Sequence, residues 1–169
     1  MNALNELFRE MGVAPKAARQ SDAAAVYALV RTAGLAIREL SGVYQRFGLT
    51  AASFNLLMLL RHGASPASFT QQVLSRRLVV SPSDITGLVD RLESRQLVQR
   101  TAGKDRRSKL LRITPKGTAL LDDVWPHHLE AVARLTAGIG RTDLDSLLRI
   151  LSRLRGAAVA QPRSEHAQG

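Results

Sequence analysis

Apolar residues recur at helical spacing along most of the chain, and polar or turn-forming residues separate the repeats. The clearest repeat has the spacing i, i+3, i+4, i+7 and consists of Ile85, Leu88, Val89 and Leu92. This spacing predicts a helix with one buried face. Ser81 is suited to the N-cap, Pro82 to the first helical position and Asp84 to the third. We therefore predict a well-capped helix over residues 82–97.

Weaker stripes of the same kind predict the other helices. They cover residues 2–11, 22–47, 51–62, 71–78, 117–137 and a last helix opened by Thr142-Asp143. Thr50 and Thr70 are predicted caps of two of them. Pro126 falls inside one helix, and we expect it to kink or restart that helix. Residues 13–20 and 64–69 are predicted to be linker and loop, and residues 161–169 a disordered tail.

Two short segments alternate apolar and polar residues, as strands do. They are residues 98–101 and 109–114, although Leu110 breaks the alternation. The preceding helix pair, residues 70–78 and 82–97, predicts a helix-turn-helix. The fold class that follows is mainly α with a small β-hairpin wing, that is, a winged helix-turn-helix plus a helical dimerisation region.

Charge is concentrated around the predicted hairpin. Between Arg95 and Lys116 there are eight Lys/Arg residues and one acid, Asp105, which gives +7 of the formal +10 in 22 of the 169 residues. Such a cationic segment after a helix favours double-stranded DNA as the partner. The chain has no cysteine and no long apolar run, so we expect a cytoplasmic protein with no membrane partner.

The exposed face of the predicted second helix supplies the candidate DNA contacts. Its N-terminal half should enter the major groove, with Ser83, Thr86 and Gly87 near the bases. Asp84 is either a cap alone or also a base contact. Further along, Arg91 and Ser94 should meet phosphates. The hairpin tip adds four further DNA-binding candidates, namely Lys104, Asp105, Arg106 and Arg107. An arginine there suits a narrow minor groove, and Asp105 can pair with Arg107 and orient it; the alternative is a solvated charged turn.

Other chemistry is sparse in the sequence. His127 and His128 are adjacent, so a helix would point them apart, and no catalytic residues, metal site or cofactor motif is predicted. Tyr44, Phe54 and Trp125 have two alternative roles: they line a pocket for an aromatic ligand between the dimerisation helices and the DNA-binding part, or they belong to the core.

Three segments give the chain a clear resemblance to the MarR family of bacterial transcription regulators. They are residues 81–93, the Lys-Asp-Arg-Arg-Ser of residues 104–108 and the Leu-Arg-Ile-Thr-Pro-Lys-Gly of residues 111–117. The resemblance implies an obligate homodimer, a palindromic operator and relief of repression by a small, often phenolic, anion. It also implies that Asp105 orients Arg107 and that Arg107 probes the minor groove. Gln96 and Gly87 depart from the family pattern, which usually has glycine and a larger polar residue there.

Together these features predict a dimeric, sequence-specific DNA-binding repressor that a small aromatic or phenolic ligand releases. The alternatives are a low-specificity architectural DNA-binding protein and, from a different class, an enzyme of aromatic-compound metabolism. We predict an N-terminal helix and linker over residues 1–20, one domain over 21–160, and the tail. Within that domain, residues 50–117 form the winged helix-turn-helix, between dimerisation helices 21–48 and 117–158.

Overall fold

The computed structural model describes residues 21–63, 69–78, 81–102 and 109–160. Six helices and two strands are described there: α1 Ser21–Arg46, α2 Ala51–His62, α3 Gln71–Leu78, α4 Pro82–Ser94, β1 Val98–Ala102, β2 Lys109–Ile113, α5 Pro115–Leu135 and α6 Arg141–Ala160. The predicted fold class is confirmed. The predicted N-terminal helix, the linker, the hairpin tip and the tail lie outside the described residues. None of the described helices is both long and apolar enough to cross a bilayer.

The predicted helix caps are present. The Thr50 hydroxyl accepts a hydrogen bond of 3.1 Å from the amide of Ser53, and the Thr70 hydroxyl accepts one of 3.3 Å from the amide of Val73. Ser81 is the N-cap of α4, as the sequence predicted. Each hydroxyl satisfies a backbone donor that the first turn of a helix leaves unpaired.

Two predicted helix boundaries were off by two or three residues. α4 ends at Ser94 because the chain turns at Gln96, whose φ of 61° is left-handed. α5 begins at Pro115, since the Thr114 hydroxyl accepts from the amide of Gly117 and caps the helix earlier. Pro126 does not restart the helix, which continues to Leu135.

α5 tolerates Pro126 because packing holds both flanks. Val124 and Ala131 are fully buried on either side of the proline. The ring removes one backbone donor, but these buried side chains keep the helix against the core on both sides of it.

The chain forms two compact units, Met1–Val132 and Ala133–Gly169. The first holds the core, where the predicted α4 stripe of Ile85, Leu88, Val89 and Leu92 is buried. The domain boundaries expected from the sequence stay predictions.

Phe69 belongs to this core although its segment was predicted to be a loop. Its side chain is fully buried, and its carbonyl oxygen accepts a hydrogen bond of 2.8 Å from the amide of Leu111. The backbone at Phe69 therefore lies against β2. Leu110 and Leu111 are both buried, although successive strand residues point to opposite faces. The break in alternation at Leu110 thus marks a strand covered on both faces.

The hairpin is antiparallel, with Val98 opposite Ile113 and Ala102 opposite Lys109. The two strands therefore stay paired up to the residues on either side of positions 103–108. At the other end, the amide of Thr114 donates to the carbonyl of Leu97 over 3.1 Å. This bond ties the start of α5 to the start of β1.

Gly117 allows that close approach. A Cβ at this position would overlap the Leu97 carbonyl oxygen and lie 2.9 Å from Cγ1 of Ile113. Since the first of these neighbours is backbone, it cannot rotate away. The glycine is therefore required for α5 to start against the hairpin.

Gly117→Ala is expected to lower the free energy of unfolding by about 1–3 kcal/mol, the usual cost of forcing an extra carbon into a filled site. Thermal unfolding of both proteins measures it. The matched control is Gly156→Ala in α6, where nothing outside the local helix backbone lies within 4 Å of the added carbon. That control should be neutral or slightly stabilising, and a Gly117→Ala protein as stable as the control would contradict the packing described.

Two helices leave apolar stripes uncovered in the single chain. On α1 the predicted stripe is buried only towards its end, at Tyr44, while Val26, Val30 and Ile37 are more than half exposed. In the second unit, none of the α6 residues is buried. Its exposed apolar side chains include Leu147, Leu148, Ile150 and Leu154. Uncovered stripes of this size are typical of surfaces that pack against another molecule.

Candidate nucleic-acid interface

The N-terminus of α4 is held by a compact set of hydrogen bonds. The Ser81 hydroxyl accepts from the amide of Asp84 over 3.1 Å and donates to its carboxylate over 2.6 Å. The hydroxyls of Ser81 and Ser83 are 2.8 Å apart. Asp84 therefore has the cap geometry that the sequence suggested as one of its two roles. Its role as a base contact stays a prediction.

The outer face of α4 is polar and accessible. Ser83, Asp84, Thr86 and Arg91 are exposed, and Gly87 is half-buried. A Cβ on Gly87 would lie only 3.4 Å from a guanidinium nitrogen of Arg91. The structure thus brings these predicted contact residues together on one face. Ser94, further along, donates to the carbonyl of Arg91 over 2.9 Å.

Arg100 of β1 clamps the hairpin to α4. Its guanidinium pairs with Asp90 at 2.5 Å and with Glu93, and its amide donates to Glu93 over 3.2 Å. The hydrogen bond to Asp90, followed by the charge of Glu93, raises the pKa of Arg100 against the opposing effect of burial. This clamp fixes the base of the hairpin relative to α4.

The cationic run from Arg95 to Lys116 is therefore less available to DNA than its net charge suggests. Arg100 is neutralised by two carboxylates, and Arg95 donates to backbone carbonyls of residues 47 and 48. Lys109, Arg112 and Lys116 are exposed. The predicted tip residues Lys104, Asp105, Arg106 and Arg107 lie outside the described residues.

A cleft between α3 and α4 adds residues that the sequence analysis missed. It measures about 540 Å³ and is lined by Gln71, Gln72, Ser75, Arg76, Ile85 and Thr86. Arg76 is exposed, and no carboxylate of the described residues lies within 4 Å of its guanidinium. The sequence signal was the pair of glutamines after the Thr70 cap, on the helix that precedes the α4 turn.

The predicted aromatic residues Tyr44, Phe54 and Trp125 meet around His128. The Tyr44 and Phe54 rings stack with centroids 4.3 Å apart, and the His128 ring lies 5.0 Å from Phe54 and 5.2 Å from Trp125. Tyr44 and Phe54 are buried, whereas Trp125 is 39% exposed. The first two have the core environment that was one of their two expected roles. A role in ligand binding stays a prediction for all three.

An open cavity adjoins the ring cluster at Trp125. Its volume is about 180 Å³, and its lining also includes Met58, Arg61, Leu121 and Asp122. Arg61 and Asp122 form an ion pair of 2.6 Å across it. The cavity thus offers one aromatic face, an apolar wall and a cation. Within the described ranges, no three His, Cys, Asp or Glu side chains are grouped to hold a metal ion.

Comparisons with known proteins agree with this geometry. The MarR family profile matches residues 47–108. The regulator MhqR of Bacillus subtilis is 30% identical over 111 residues, covering 64% of this chain and 74% of MhqR. The crystal structure of a MarR-family transcriptional regulator from Rhodococcus sp. RHA1 superposes with a TM-score of 0.71 at 30% identity, over 80% of this chain and 94% of that one. The chain belongs to the MarR family.

A second solved structure is a MarR-type neighbour with a ligand. CouR from Rhodococcus jostii RHA1, in a crystal described as bound to p-coumaroyl-CoA, is 30% identical with a TM-score of 0.66. The match covers 76% of this chain and 88% of CouR. MarR proteins are transcription regulators, and a winged helix-turn-helix fold with a DNA-binding role is what this chain shares with them.

The turn after α4 contains a residue with a strained backbone. Gln96 has a φ of 61°, which costs a residue with a side chain about 1–2 kcal/mol. Glycine, which the resemblance led us to expect here, adopts this φ without that cost. The Gln96 carbonyl accepts a hydrogen bond from the Thr114 hydroxyl over 2.7 Å, which helps to hold the strained turn.

His128 was missed as a functional candidate, and its environment makes it sensitive to pH. Burial lowers the pKa of His128 and raises that of Tyr44. The Tyr44 hydroxyl and Nδ1 of His128 are 3.0 Å apart. Nδ1 of a neutral imidazole can therefore accept a hydrogen bond from the Tyr44 hydroxyl, whereas a protonated His128 would donate to the tyrosine oxygen.

We expect the folded protein to lose stability as the pH falls below the ordinary histidine pKa of about 6.5. There the unfolded chain takes up a proton that folded His128 resists, so acid favours unfolding. His128→Gln, which cannot titrate, should show a smaller drop in melting temperature between neutral and mildly acidic pH. The control His62→Gln, outside the ring cluster, should keep the original drop. An equal drop in all three proteins would rule out His128 as its source.

Proposed function

We propose that this MarR-family protein is a homodimeric, sequence-specific DNA-binding repressor of a palindromic operator, released by a small aromatic anion. The observation that carries the proposal is the exposed polar face of α4, with Ser83 and Thr86 at its N-terminal end. A helix presented in this way, with a hairpin clamped beside it, suits the major groove of B-DNA.

DNA binding would use three sets of residues. Ser83, Asp84, Thr86 and Gly87 would face the bases. In the wing, Arg107 would enter the minor groove, Asp105 would orient it, and Lys104 and Arg106 would bind the DNA beside it. Arg91, together with Gln72 and Arg76 of the α3–α4 cleft, would contact phosphates. In a helix-turn-helix the first helix, here α3, crosses the DNA backbone, so its side chains are well placed to contact phosphates.

Dimerisation would cover the exposed stripes of α1 and α6. Leu148 is 65% exposed and Val30 is 65% exposed in the single chain. A second copy related by a two-fold axis would bury them in a self-complementary contact. The same axis would place two α4 helices on two half-sites, which is why a palindromic operator is proposed.

The ligand would enter the cavity beside Trp125. An aromatic ring could stack on the exposed indole, and a carboxylate could compete with Asp122 for Arg61. That exchange is feasible because an exposed ion pair contributes only about 0–1 kcal/mol. The p-coumaroyl group in the CouR crystal is a phenolic acid derivative, which supports this ligand class.

The test begins with duplexes selected by the protein from random DNA. At one fixed salt concentration, a selected duplex should bind about 10³-fold or more tightly than a shuffled sequence. Equal affinities would instead identify an architectural DNA-binding protein. Aromatic carboxylates and phenols are then added to the complex.

At least one such compound should weaken operator binding and be recovered unchanged. Conversion of the compound would indicate an enzyme. Peroxide should not act through a thiol, because the chain has no cysteine. A panel in which peroxide alone releases the DNA would overturn the proposed ligand class.

A further inference from the structure

Arg95 joins the end of α4 to the end of α1. It is the C-cap residue of α4, with φ −83° and ψ 0°. Its guanidinium donates one hydrogen bond to the carbonyl oxygen of Gly48 and a second, 3.2 Å long, to that of Phe47. These carbonyls lie just past the last turn of α1, where helical carbonyls lack partners within the helix.

The end of α1 is shaped to receive this cation. Gly48 has a φ of 66°, and the amide of Leu49 donates back to the carbonyl of Tyr44 over 2.9 Å, which closes the helix. A Cβ on Gly48 would lie 3.3 Å from a guanidinium nitrogen of Arg95. Glycine thus supplies both the left-handed conformation and the room for the arginine. The negative end of the helix dipole favours the positive charge.

On the other side of Arg95, α4 and the hairpin base are tied together. Arg100 holds β1 to Asp90 and Glu93 of α4. The Thr114 hydroxyl donates to the carbonyl of Gln96 over 2.7 Å, which holds the end of β2 to the turn after α4. The proposed DNA-contacting elements are therefore joined to one another, and Arg95 joins them to α1.

Directional bonds matter at this junction. The apolar contacts of the core hold α1 and α4 in one body, but the hydrophobic effect is non-directional. Two hydrogen bonds from one planar guanidinium require a defined approach of both carbonyls. The apolar contacts hold the two helices close together. The Arg95 hydrogen bonds are suited to fixing the angle between them as well.

We propose that Arg95 is a positioning residue that sets the angle between α4 and α1, and through it the distance between the two α4 helices of the dimer. This inference rests on the proposed dimeric binding of an operator. The two helices must lie about 34 Å apart to enter successive major grooves. If the angle between α4 and α1 is fixed, the dimer binds operators with one spacing between the half-sites. If that angle is free, it binds operators with several spacings.

The chemistry of the contact makes arginine hard to replace. A lysine ammonium on a flexible stem is a point charge and cannot hold two carbonyls in a fixed plane as a guanidinium does. Arg95→Lys should therefore keep the charge and lose part of the angular restraint. Arg95→Gln should lose both.

The experiment measures affinity for a series of duplexes at one salt concentration. Each duplex carries the two half-sites of a selected operator, with the spacing between them changed in steps of one base pair. Four proteins are compared: the unchanged chain, Arg95→Gln, Arg95→Lys and the control Arg46→Gln. The control removes one positive charge from the exposed last turn of α1 without touching the Arg95 contact. Thermal unfolding of each protein shows that it is folded.

The unchanged chain and Arg46→Gln should prefer one spacing sharply. Arg95→Gln should reduce that preference on the order of fivefold or more, and Arg95→Lys should fall between. A uniform loss of affinity at every spacing would overturn the proposal, since it would make Arg95 a phosphate contact or a stabilising cap. An unchanged profile would overturn it as well. If the unchanged chain itself binds no duplex, the proposed function fails, which is a separate result.

Discussion

Replacing Leu148 by glutamate is expected to split the proposed dimer and abolish operator binding. Leu148 is the most exposed leucine of the α6 stripe, at 65%, and the two-fold contact would bury it in both copies. Each copy would then bury a carboxylate without a partner, at a cost of several kcal/mol per ion. Because two half-sites must be held at once, loss of the dimer removes the cooperation between the two DNA contacts.

Light scattering and an operator titration measure both effects on the same sample. The control is Arg149→Glu, which places a carboxylate one residue away but about 100° around the helix. Arg149 is exposed and its side chain donates only to Ser146, over 2.8 Å, among the contacts of the described residues. The Arg149→Glu protein should therefore stay dimeric. A Leu148→Glu protein that remains a DNA-binding dimer would show that α6 does not form the interface.

The second large effect is expected from Arg107→Ala. The position lies among the six residues that connect the paired ends of β1 and β2 at Ala102 and Lys109. The proposed function gives this arginine a contact in the minor groove. Loss of one well-placed groove contact should cost about 1–3 kcal/mol for each wing. Since the sequence predicts a charged turn at this position, we expect the fold to be unaffected.

Titration of the selected operator at fixed salt, with circular dichroism as a check of folding, measures this loss. Asp105→Ala should weaken binding less, because it removes the group that orients the arginine and leaves the contact in place. If Arg107→Ala bound the operator with unchanged affinity, the wing would have no role in the minor groove.

Local signals were sufficient to predict the start and the buried face of α4. The Ser81 cap, the proline after it and the apolar spacing all lie within a dozen residues, and each acts on the same helix. The hairpin followed from alternation and from the charged segment between its strands. Where the signals are short-range, the sequence determines the element with little help from the rest of the chain.

Long-range partners explain what the sequence did not reveal. Arg95 and Arg100 were counted in the cationic segment that suggested DNA. Arg95 instead donates to carbonyls 47 and 48 residues earlier in the chain, and Arg100 pairs with carboxylates seven and ten residues earlier, on the preceding helix. His128 meets Tyr44, 84 residues away. No periodicity in the sequence brings such pairs together. The hairpin returns Arg100 to α4, and tertiary packing brings the other two pairs together.

The strained turn at Gln96 is a different case. The sequence marked it as a departure from the family, and the structure gives the physical meaning, a left-handed φ of 61° held by Thr114. Likewise, the irregular Leu110 became intelligible once its strand was seen to be covered on both faces. In both cases the anomaly in the pattern was informative, but its cause lay in tertiary structure.

The central claim is that the N-terminal half of α4 reads bases in both halves of a palindrome. Base preference at every operator position is measured for the unchanged protein and for Thr86→Ala, by competition among all single-base variants of the selected duplex. Thr86→Ala should lose base preference, by about 1–3 kcal/mol per base pair, at one or two operator positions and at the positions related to them by the two-fold axis. Preferences unchanged at every position, or altered in one half-site only, would contradict it.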